Sequence, residues 1–184
     1  AMIIKDTSLA DLKLIEPIVH GDDRGFFYEI YNQERLQSEG VQWVFVQDNL
    51  ANSSQGVLRG LHFQKGEFAQ AKLVTVLEGE IYDVCVDLRP ESPTYGQWEG
   101  FVINAKNKQQ LFVPRGFAHG YLVCSPQASV YYKVDNRYNK ESEGGIRFND
   151  KSLNINWGKY LVGDPILSEK DKLWPSLNEF TAKL

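Results

Sequence analysis

The chain is a succession of short runs rich in β-branched and aromatic residues, and this pattern constrains its fold more than any other feature. The runs are GFFYEIY, WVFVQDNLA, GVLRGLHFQ, KLVTVLEGEIYDVCVDL, WEGFVINA, QQLFVPRG, HGYLVCS and ASVYYKVD. Turn-forming sequences such as NSSQG, EGE and RPESP separate them. Many short strands at fairly regular spacing are typical of a sandwich or a closed antiparallel barrel. Residues 33–39 and the segment after Leu167, which contains Pro175, are expected to form short helices or turns.

Composition and charge exclude several classes of function. With 12% aromatic and 24% charged residues, residues 1–184 are expected to form one packed domain. The formal net charge of −4 and the lack of a basic run argue against nucleic-acid binding. No apolar stretch approaches the roughly 18 residues that span a bilayer, and the N-terminus does not resemble a secretory signal, so we expect a cytoplasmic protein. Cys85 and Cys124 lie in apolar runs and are expected to be reduced thiols.

The three histidines limit where imidazole chemistry can occur. His62 lies in the strand-like run GVLRGLHFQ, and the period-two alternation of a strand puts Leu58 on its face and Leu61 on the opposite face. Arg59 also falls away from His62, unless Gly60 allows a bulge that redirects it. The third histidine, His20, lies in a turn-like run and is expected at the surface.

A second histidine follows a rigid bend. In PRGFAHG, Pro114 and Gly116 precede His119 with the spacing P-x-G-x-x-H, which resembles the second signature of the cupins. Metal-binding cupins supply H-x-H from their first signature, whereas this chain has the sequence HFQ at 62–64. Lys72 lies downstream, where its ammonium would repel a cation. The sequence therefore predicts a cupin cavity without a metal.

An ordered set of motifs extends over nearly the whole chain. They are DDRGFFYE at 22–29, FVQDN at 45–49, GVLRGLHFQ at 56–64, AKLVTVLEGEIYDVCVDLR at 71–89, SPTYGQW at 92–98, PRGFAHGY at 114–121, VYYKVDNRY at 130–138 and LSEKD at 167–171. Together they resemble the dTDP-4-dehydrorhamnose 3,5-epimerases.

This resemblance implies a fold, an activity and an assembly. The fold would be an all-β cupin-type double-stranded β-helix, or jelly roll, with short helical segments mainly near the C-terminus. The activity would be inversion of C3 and C5 of dTDP-4-dehydro-6-deoxy-D-glucose, without metal or organic cofactor. The product would serve dTDP-L-rhamnose biosynthesis and hence lipopolysaccharide or cell-wall polysaccharide. A homodimer is implied, with an N-terminal segment that crosses to the partner's sheet.

The resemblance also implies roles for individual residues. His62 matches the proton acceptor, Asp171 the carboxylate that orients it, and Tyr132 the proton donor on the opposite face. Lys72 and His119 match contacts near the sugar carbonyl, where a fixed cation or donor stabilises enolate charge. The positions that match other substrate contacts are Arg24, Glu29, Gln47, Asn49, Arg59, Tyr138, Glu143 and Lys170.

Taken singly, these residues have ordinary structural explanations as well. Asp171 fits a solvated charge in a polar tail, and Arg24 fits an ion pair with a neighbouring aspartate. Asp83, on the run YDVCV, is a candidate to orient His119. A slip of one residue in its strand would exchange Tyr132 for Tyr131 as the tyrosine that faces inward.

The sequence is also compatible with three other functions. A relative on the same scaffold would epimerise only C3, or move the ketone between C3 and C4. A non-catalytic cupin would bind the sugar nucleotide without proton exchange. A metal-dependent cupin oxygenase or isomerase would require stoichiometric metal, which the HFQ sequence at 62–64 does not favour.

Overall fold

The computed structural model describes residues 2–181, and its regular secondary structure consists mainly of short β-strands. The strands are β1 (Met2–Asp6), β2 (Lys13–Pro17), β3 (His20–Asp22), β4 (Gly25–Phe27), β5 (Gln47–Ser54), β6 (Leu58–Gln64), β7 (Lys72–Glu78), β8 (Glu80–Asp87), β9 (Trp98–Asn104), β10 (Gln110–Val113), β11 (Phe117–Val123), β12 (Gln127–Val134) and β13 (Glu143–Gly145). The helices are α1 (Gln33–Ser38) and α2 (Leu177–Thr181), with single 3₁₀ turns at Gly66–Phe68, Lys140–Ser142, Gly158–Tyr160 and Asp171–Leu173. Within residues 2–181, no helix has the length and apolar character needed to cross a bilayer.

The strands form two antiparallel sheets and a separate hairpin. One sheet has the order β1-β2-β10-β7-β12-β5, the other has the order β13-β6-β11-β8-β9, and β3 pairs with β4 alone. A buried cluster contains side chains from both sheets, including Val74 and Val130 from one and Ile81 and Val123 from the other. The expected all-β sandwich is therefore confirmed.

Two further apolar clusters cover the outer faces of the sheets. On the five-stranded sheet, Leu61 and Leu122 pack against Leu153 and Trp157 of the C-terminal segment. On the six-stranded sheet, Leu36 of α1 belongs to a cluster with strand residues such as Leu73 and Phe112. Strands buried on both faces explain the nearly continuous apolar runs in the sequence.

Some element boundaries differ from those predicted. The run 25–31 is a strand only at Gly25–Phe27, and the run 43–51 becomes a strand only at Gln47. Val44 and Val46, which precede β5, are exposed rather than packed. β-branched and aromatic content predicted a strand there, but strand preference depends on side-chain packing, and these side chains pack against little.

The period-two prediction for β6 is wrong at its centre because a bulge interrupts the strand. His62 pairs with His119 of β11, whereas Arg59 pairs with Tyr121, so three steps along β6 match two along β11. Gly60, with φ +145°, absorbs the extra residue. As a result Leu58 lies with Leu61 in the outer core rather than on the face of His62, and Arg59 lines a cavity together with His62.

Candidate active site

His62 forms a dyad with Asp171, which the chain brings to it from the far C-terminal segment. His62 Nε2 lies 2.6 Å from Asp171 Oδ1. Because an ionised carboxylate can only accept, Nε2 carries the proton and Nδ1 holds the free lone pair. Burial acts to raise the pKa of Asp171, but hydrogen bonds from His62, Trp174 and the Gly60 amide outweigh it and the pKa is lowered. The dyad therefore has a carboxylate that stays charged and a basic nitrogen with no partner among residues 2–181.

His119 forms a second dyad, with Asp83, deeper between the sheets. Strand alternation turns both residues inward, and His119 Nε2 lies 2.7 Å from Asp83 Oδ2. Lys72 Nζ lies 3.5 Å from His119 Nδ1. A lysine ammonium has only donors, so Nδ1 accepts from Lys72 and Nε2–H donates to Asp83. Both ring nitrogens of His119 are thus engaged.

The two histidines are cross-strand neighbours but have different environments. The His62 side chain is 30% exposed, whereas that of His119 is 6% exposed. Burial lowers the pKa of His119, and Asp83 only partly opposes this effect. His119 is therefore a neutral, fixed hydrogen-bonding group, while His62 has both access to the cavity and a free nitrogen with which to take a proton.

Tyr132 faces the cavity from the opposite sheet. It lies on β12 of the six-stranded sheet, opposite Asn49 of β5, whereas His62 lies on β6 of the five-stranded sheet. Burial raises the pKa of Tyr132, which Arg59 and Asn49 oppose in part, so the phenol keeps its proton at neutral pH. Tyr131 points the other way, and its hydroxyl donates to Asp48 over 2.9 Å.

Two pockets have His62, Lys72 and Tyr132 in common among their lining residues. The outer pocket is lined by His62, Phe63, Gln64, Gln70, Lys72, Tyr132, Tyr138, Glu143 and Lys170. The inner pocket is lined by Ala51, Arg59, His62, Lys72, His119, Gly120, Tyr121 and Tyr132. A ligand that filled both would lie between the His62 and Tyr132 walls, with Lys72 beside it.

The entrance of the outer pocket carries an aromatic and an ion pair. The Tyr138 hydroxyl donates to Glu143 Oε2 over 2.8 Å, and the other Glu143 oxygen forms an ion pair with Lys170. Burial acts to raise the pKa of Glu143, but Lys170 and Tyr138 outweigh it and the pKa is lowered. The Tyr138 ring is exposed and available for stacking.

The structure does not bring every predicted binding residue to these pockets within one chain. Arg24 lies at the turn of the β3–β4 hairpin, where its guanidinium pairs with Asp22 over 2.6 Å. Glu29 lies near α1 and pairs with Arg35 over 3.4 Å. Neither side chain lines the outer or the inner pocket, and the hairpin pairs with neither main sheet. A role for them in substrate binding therefore stays a prediction. Gln47 and Asn49 lie on edge strand β5 and bond to each other, with Asn49 next to Tyr132.

Several residues of the site were not predicted from the sequence. Gln70 and Tyr121 line the pockets, and Trp174 donates to Asp171. Ser168 accepts the backbone N–H of Asp171 and fixes the turn that carries it. The alternation of HGYLV already put Tyr121 on the face of His119, so that residue was accessible from the strand period. The other contacts depend on long-range packing.

One cluster has the composition of a metal site. Ligand atoms of Asp83, Cys85 and His119 lie within 4.8 Å of one another, all buried. The Lys72 ammonium next to His119 already supplies a positive charge there, and its pKa is lowered by burial, with Asp83 in opposition. Cys85 and Cys124 are free thiols, as predicted, and burial raises the pKa of Cys85 well above its usual value.

Comparison with known proteins gives a consistent result. A protein-family model described as dTDP-4-dehydrorhamnose 3,5-epimerase matches residues 6–179. The dTDP-4-dehydrorhamnose 3,5-epimerase of Salmonella typhimurium is 48% identical over 179 residues, which cover 97% of each chain. The crystal structure of the Elizabethkingia anophelis enzyme of the same name has a TM-score of 0.91 and 52% identity, with 97% of each chain covered.

A ligand-bound neighbour is also similar. The dTDP-6-deoxy-D-glucose-3,5-epimerase of Legionella pneumophila, solved in complex with dTDP-4-keto-L-rhamnose, has a TM-score of 0.94 and 45% identity. The match covers 100% of this chain and 96% of that one. Together with the two facing sheets, these neighbours confirm the predicted cupin-type jelly roll.

Proposed function

Because the chain belongs to the family of the dTDP-4-dehydrorhamnose 3,5-epimerases, we infer that it is an isomerase that inverts C3 and C5 of dTDP-4-dehydro-6-deoxy-D-glucose. The product is dTDP-4-dehydro-L-rhamnose. One observation supports this reaction above the others. His62 and Tyr132 project from opposite sheets into the same two pockets, so a sugar between them has a base on one face and an acid on the other.

The proton transfers follow from this arrangement. The C4 ketone acidifies the hydrogens at C3 and C5, and Nδ1 of His62 removes one of them while the electron pair passes to the ketone oxygen. Asp171 stabilises the imidazolium that forms. When the enolate collapses, the Tyr132 hydroxyl delivers a proton to the opposite face of the carbon. Exchange with solvent then returns a proton to Tyr132 and removes one from His62, and the second centre is inverted in the same way.

Lys72 and His119 have a separate task in this proposal. The Lys72 ammonium donates to the ketone oxygen as negative charge develops there, an effect that is usually among the largest in such sites. His119 accepts from Lys72 and is itself held by Asp83, so the ammonium is fixed before the substrate arrives. Burial strengthens the interaction because water does not screen it.

The thymidine part of the substrate is proposed to occupy the outer pocket. Tyr138 offers an exposed ring on which thymine can stack, and Glu143 and Lys170 surround it with hydrogen-bonding groups. Arg59 lines the inner pocket, where Ser53 holds it over 3.0 Å. It is proposed to bind the pyrophosphate, because a guanidinium makes paired, charge-assisted hydrogen bonds. We propose that the protein is located in the cytoplasm, where free thiols such as its two cysteines remain reduced. We also propose that the rhamnose is incorporated into a surface polysaccharide.

A homodimer would account for the residues that lie away from the pocket. Phe26 and Phe27 of the β3–β4 hairpin are 62% and 73% exposed, and Leu50 on the edge strand β5 is also exposed. Two adjacent exposed aromatic side chains are a candidate for an interface. We therefore propose that the hairpin packs on the sheet of a second copy and delivers Arg24 and Glu29 to that copy's pocket, which resembles the N-terminal crossing expected for this family.

This dimer makes a specific prediction about mixed variants. Arg24→Ala and His62→Ala should each have little activity alone. A 1:1 mixture that has exchanged subunits should regain on the order of a quarter of the wild-type rate, because half the dimers are mixed and each mixed dimer has one intact site. If Arg24 served its own chain, the mixture would stay as inactive as its parts. Sedimentation velocity provides the accompanying measurement, and a monomer at working concentration would contradict the proposal.

The reaction itself is tested by NMR in deuterated water with dTDP-4-dehydro-6-deoxy-D-glucose. We expect the wild-type protein to incorporate deuterium at both C3 and C5 and to form the inverted product. Deuterium at C3 alone would indicate a C3-epimerase. Tight binding without any exchange would indicate a non-catalytic binding protein.

A further inference from the structure

Trp174 touches both members of the His62–Asp171 dyad. Its indole Nε1–H donates to Asp171 Oδ1 over 2.9 Å, and this is the oxygen that accepts from His62 Nε2. Its ring lies edge to face with the His62 ring, with centroids 6.0 Å apart and an interplanar angle of 71°. The backbone N–H of Gly60 donates to the other carboxylate oxygen over 3.2 Å. Asp171 is thus held by three donors.

The position of Trp174 is itself fixed by the segment at the end of β13. The Arg147 backbone N–H donates to the carbonyl of Pro175 over 3.0 Å, and Arg147 Nε donates to the carbonyl of Trp174 over 3.3 Å. The indole packs over Gly145, which is the direct cross-strand neighbour of His62 on β13. A Cβ at Gly145 would clash with the indole. The absence of a side chain at 145 therefore creates the space that Trp174 occupies beside His62.

We propose that Trp174 is a positioning residue for the epimerisation, which holds the Asp171 carboxylate in the orientation that turns Nδ1 of His62 to the sugar. This inference rests on the proposed function, because it takes His62 as the base. Without the indole N–H, only His62 and Gly60 would restrain the carboxylate, and its rotation would carry the imidazole with it. Trp174 acts through the dyad. Among the interactions of residues 2–181, it makes no contact with Lys72 or Tyr132, which line both pockets.

The indole N–H also lowers the basicity of the Asp171 carboxylate. Each donor to an ionised carboxylate stabilises its charge and lowers its basicity. Removal of one donor leaves a more basic Asp171, which stabilises the protonated imidazole more strongly and keeps the dyad protonated to higher pH. A residue that only filled space next to His62 would have no such effect.

Trp174→Phe tests the proposal because it keeps an aromatic ring and deletes the donor. We expect kcat to fall about tenfold, which corresponds to the loss of one hydrogen bond to a charged group, while KM changes by less than about twofold. The acidic limb of the pH profile of kcat/KM should move to higher pH. The variant leaves unchanged the other titratable and charged groups that line the pockets beside the dyad, which are Arg59, Lys72, His119, Tyr121, Tyr132, Tyr138, Glu143 and Lys170.

Trp157→Phe is the matched control. The Trp157 indole N–H also makes a single hydrogen bond, to the carbonyl of Phe148 over 3.0 Å, but it packs in the outer core away from the dyad. Its removal should leave kcat and the pH profile at wild-type values. Wild-type kinetics in Trp174→Phe would overturn the proposal, and so would an equal loss in both variants.

A second measurement does not require either tryptophan variant to fold. The indole N–H resonance of Trp174 in the full-length protein should shift when Asp171 is replaced by Asn, whereas that of Trp157 should not. If the chemical shift of the Trp174 indole N–H were the same in the wild-type protein and in Asp171→Asn, the proposal would be overturned. Failure of the proposed function is separate, because it would show as a wild-type protein that neither exchanges nor inverts C3 and C5 of the sugar.

Discussion

His62→Ala is expected to lower kcat for epimerisation by about 10²- to 10⁴-fold, the usual contribution of a positioned general base. Deuterium uptake at C3 and C5 should fall by the same factor, since His62 Nδ1 is a basic nitrogen that no other group among residues 2–181 engages. His119 is the nearest other imidazole, but Lys72 and Asp83 engage both of its nitrogens. The NMR experiment in deuterated water measures exchange and inversion together.

Binding provides the control for this variant. The ring of His62 is removed, but Tyr138, Glu143 and Lys170 at the pocket entrance are untouched, so the affinity for dTDP should change by less than about threefold. Calorimetric titration with dTDP measures it. If exchange persisted in His62→Ala while dTDP bound normally, His62 would not be the base and the proton would have to leave by another route.

Strand periodicity accounts for the part of the site that the sequence predicts well. In HGYLV and YDVCV the alternation puts His119, Tyr121 and Asp83 on one face, and in VYYKV it gives the two tyrosines opposite directions. The structure places Tyr131 outside and Tyr132 in the cavity. What alternation alone leaves open is which of two faces is the inner one, and the ordered motifs of the family supplied that choice.

Periodicity fails where the backbone departs from a regular strand. The bulge at Gly60 reverses the side on which Leu58 and Arg59 lie, and a glycine in a strand permits this without requiring it. Asp171 and Trp174 are a different case. They reach His62 across more than a hundred residues of sequence, so no local pattern could indicate that they meet.

The positions of Arg24 and Glu29 show a further limit of prediction from the sequence. A resemblance matches residues to roles without saying which copy of the chain performs them. Within one chain these side chains pair with Asp22 and Arg35 and lie outside the pocket. An interface between two copies depends on the shape of both surfaces, which a single sequence encodes only through exposed apolar side chains such as Phe27.

Tyr132→Phe should separate the removal of protons from their return. The variant keeps the ring and loses the hydroxyl, so His62 can still abstract a proton and exchange it with solvent. We expect formation of the inverted product to fall by about 10²- to 10⁴-fold. Deuterium incorporation with retained configuration should continue, because deuterated His62 can return deuterium to the face from which the proton left. The same NMR experiment distinguishes the two, since it reports both the label and the configuration.

Tyr131→Phe is the neighbouring control, because it removes a hydroxyl from the same strand. That hydroxyl donates to Asp48 on the outside of the sheet, so its loss should alter the rate of inversion by no more than about twofold, as for an ordinary surface substitution. If both substitutions acted by distorting the strand, they would lower the rate of inversion by similar factors. If Tyr132→Phe inverted the sugar at the wild-type rate, the proton on the second face would come from water or from another donor. In that case Tyr132, whose pKa is raised by burial, would contribute to packing of the cavity wall and would not be the proton donor.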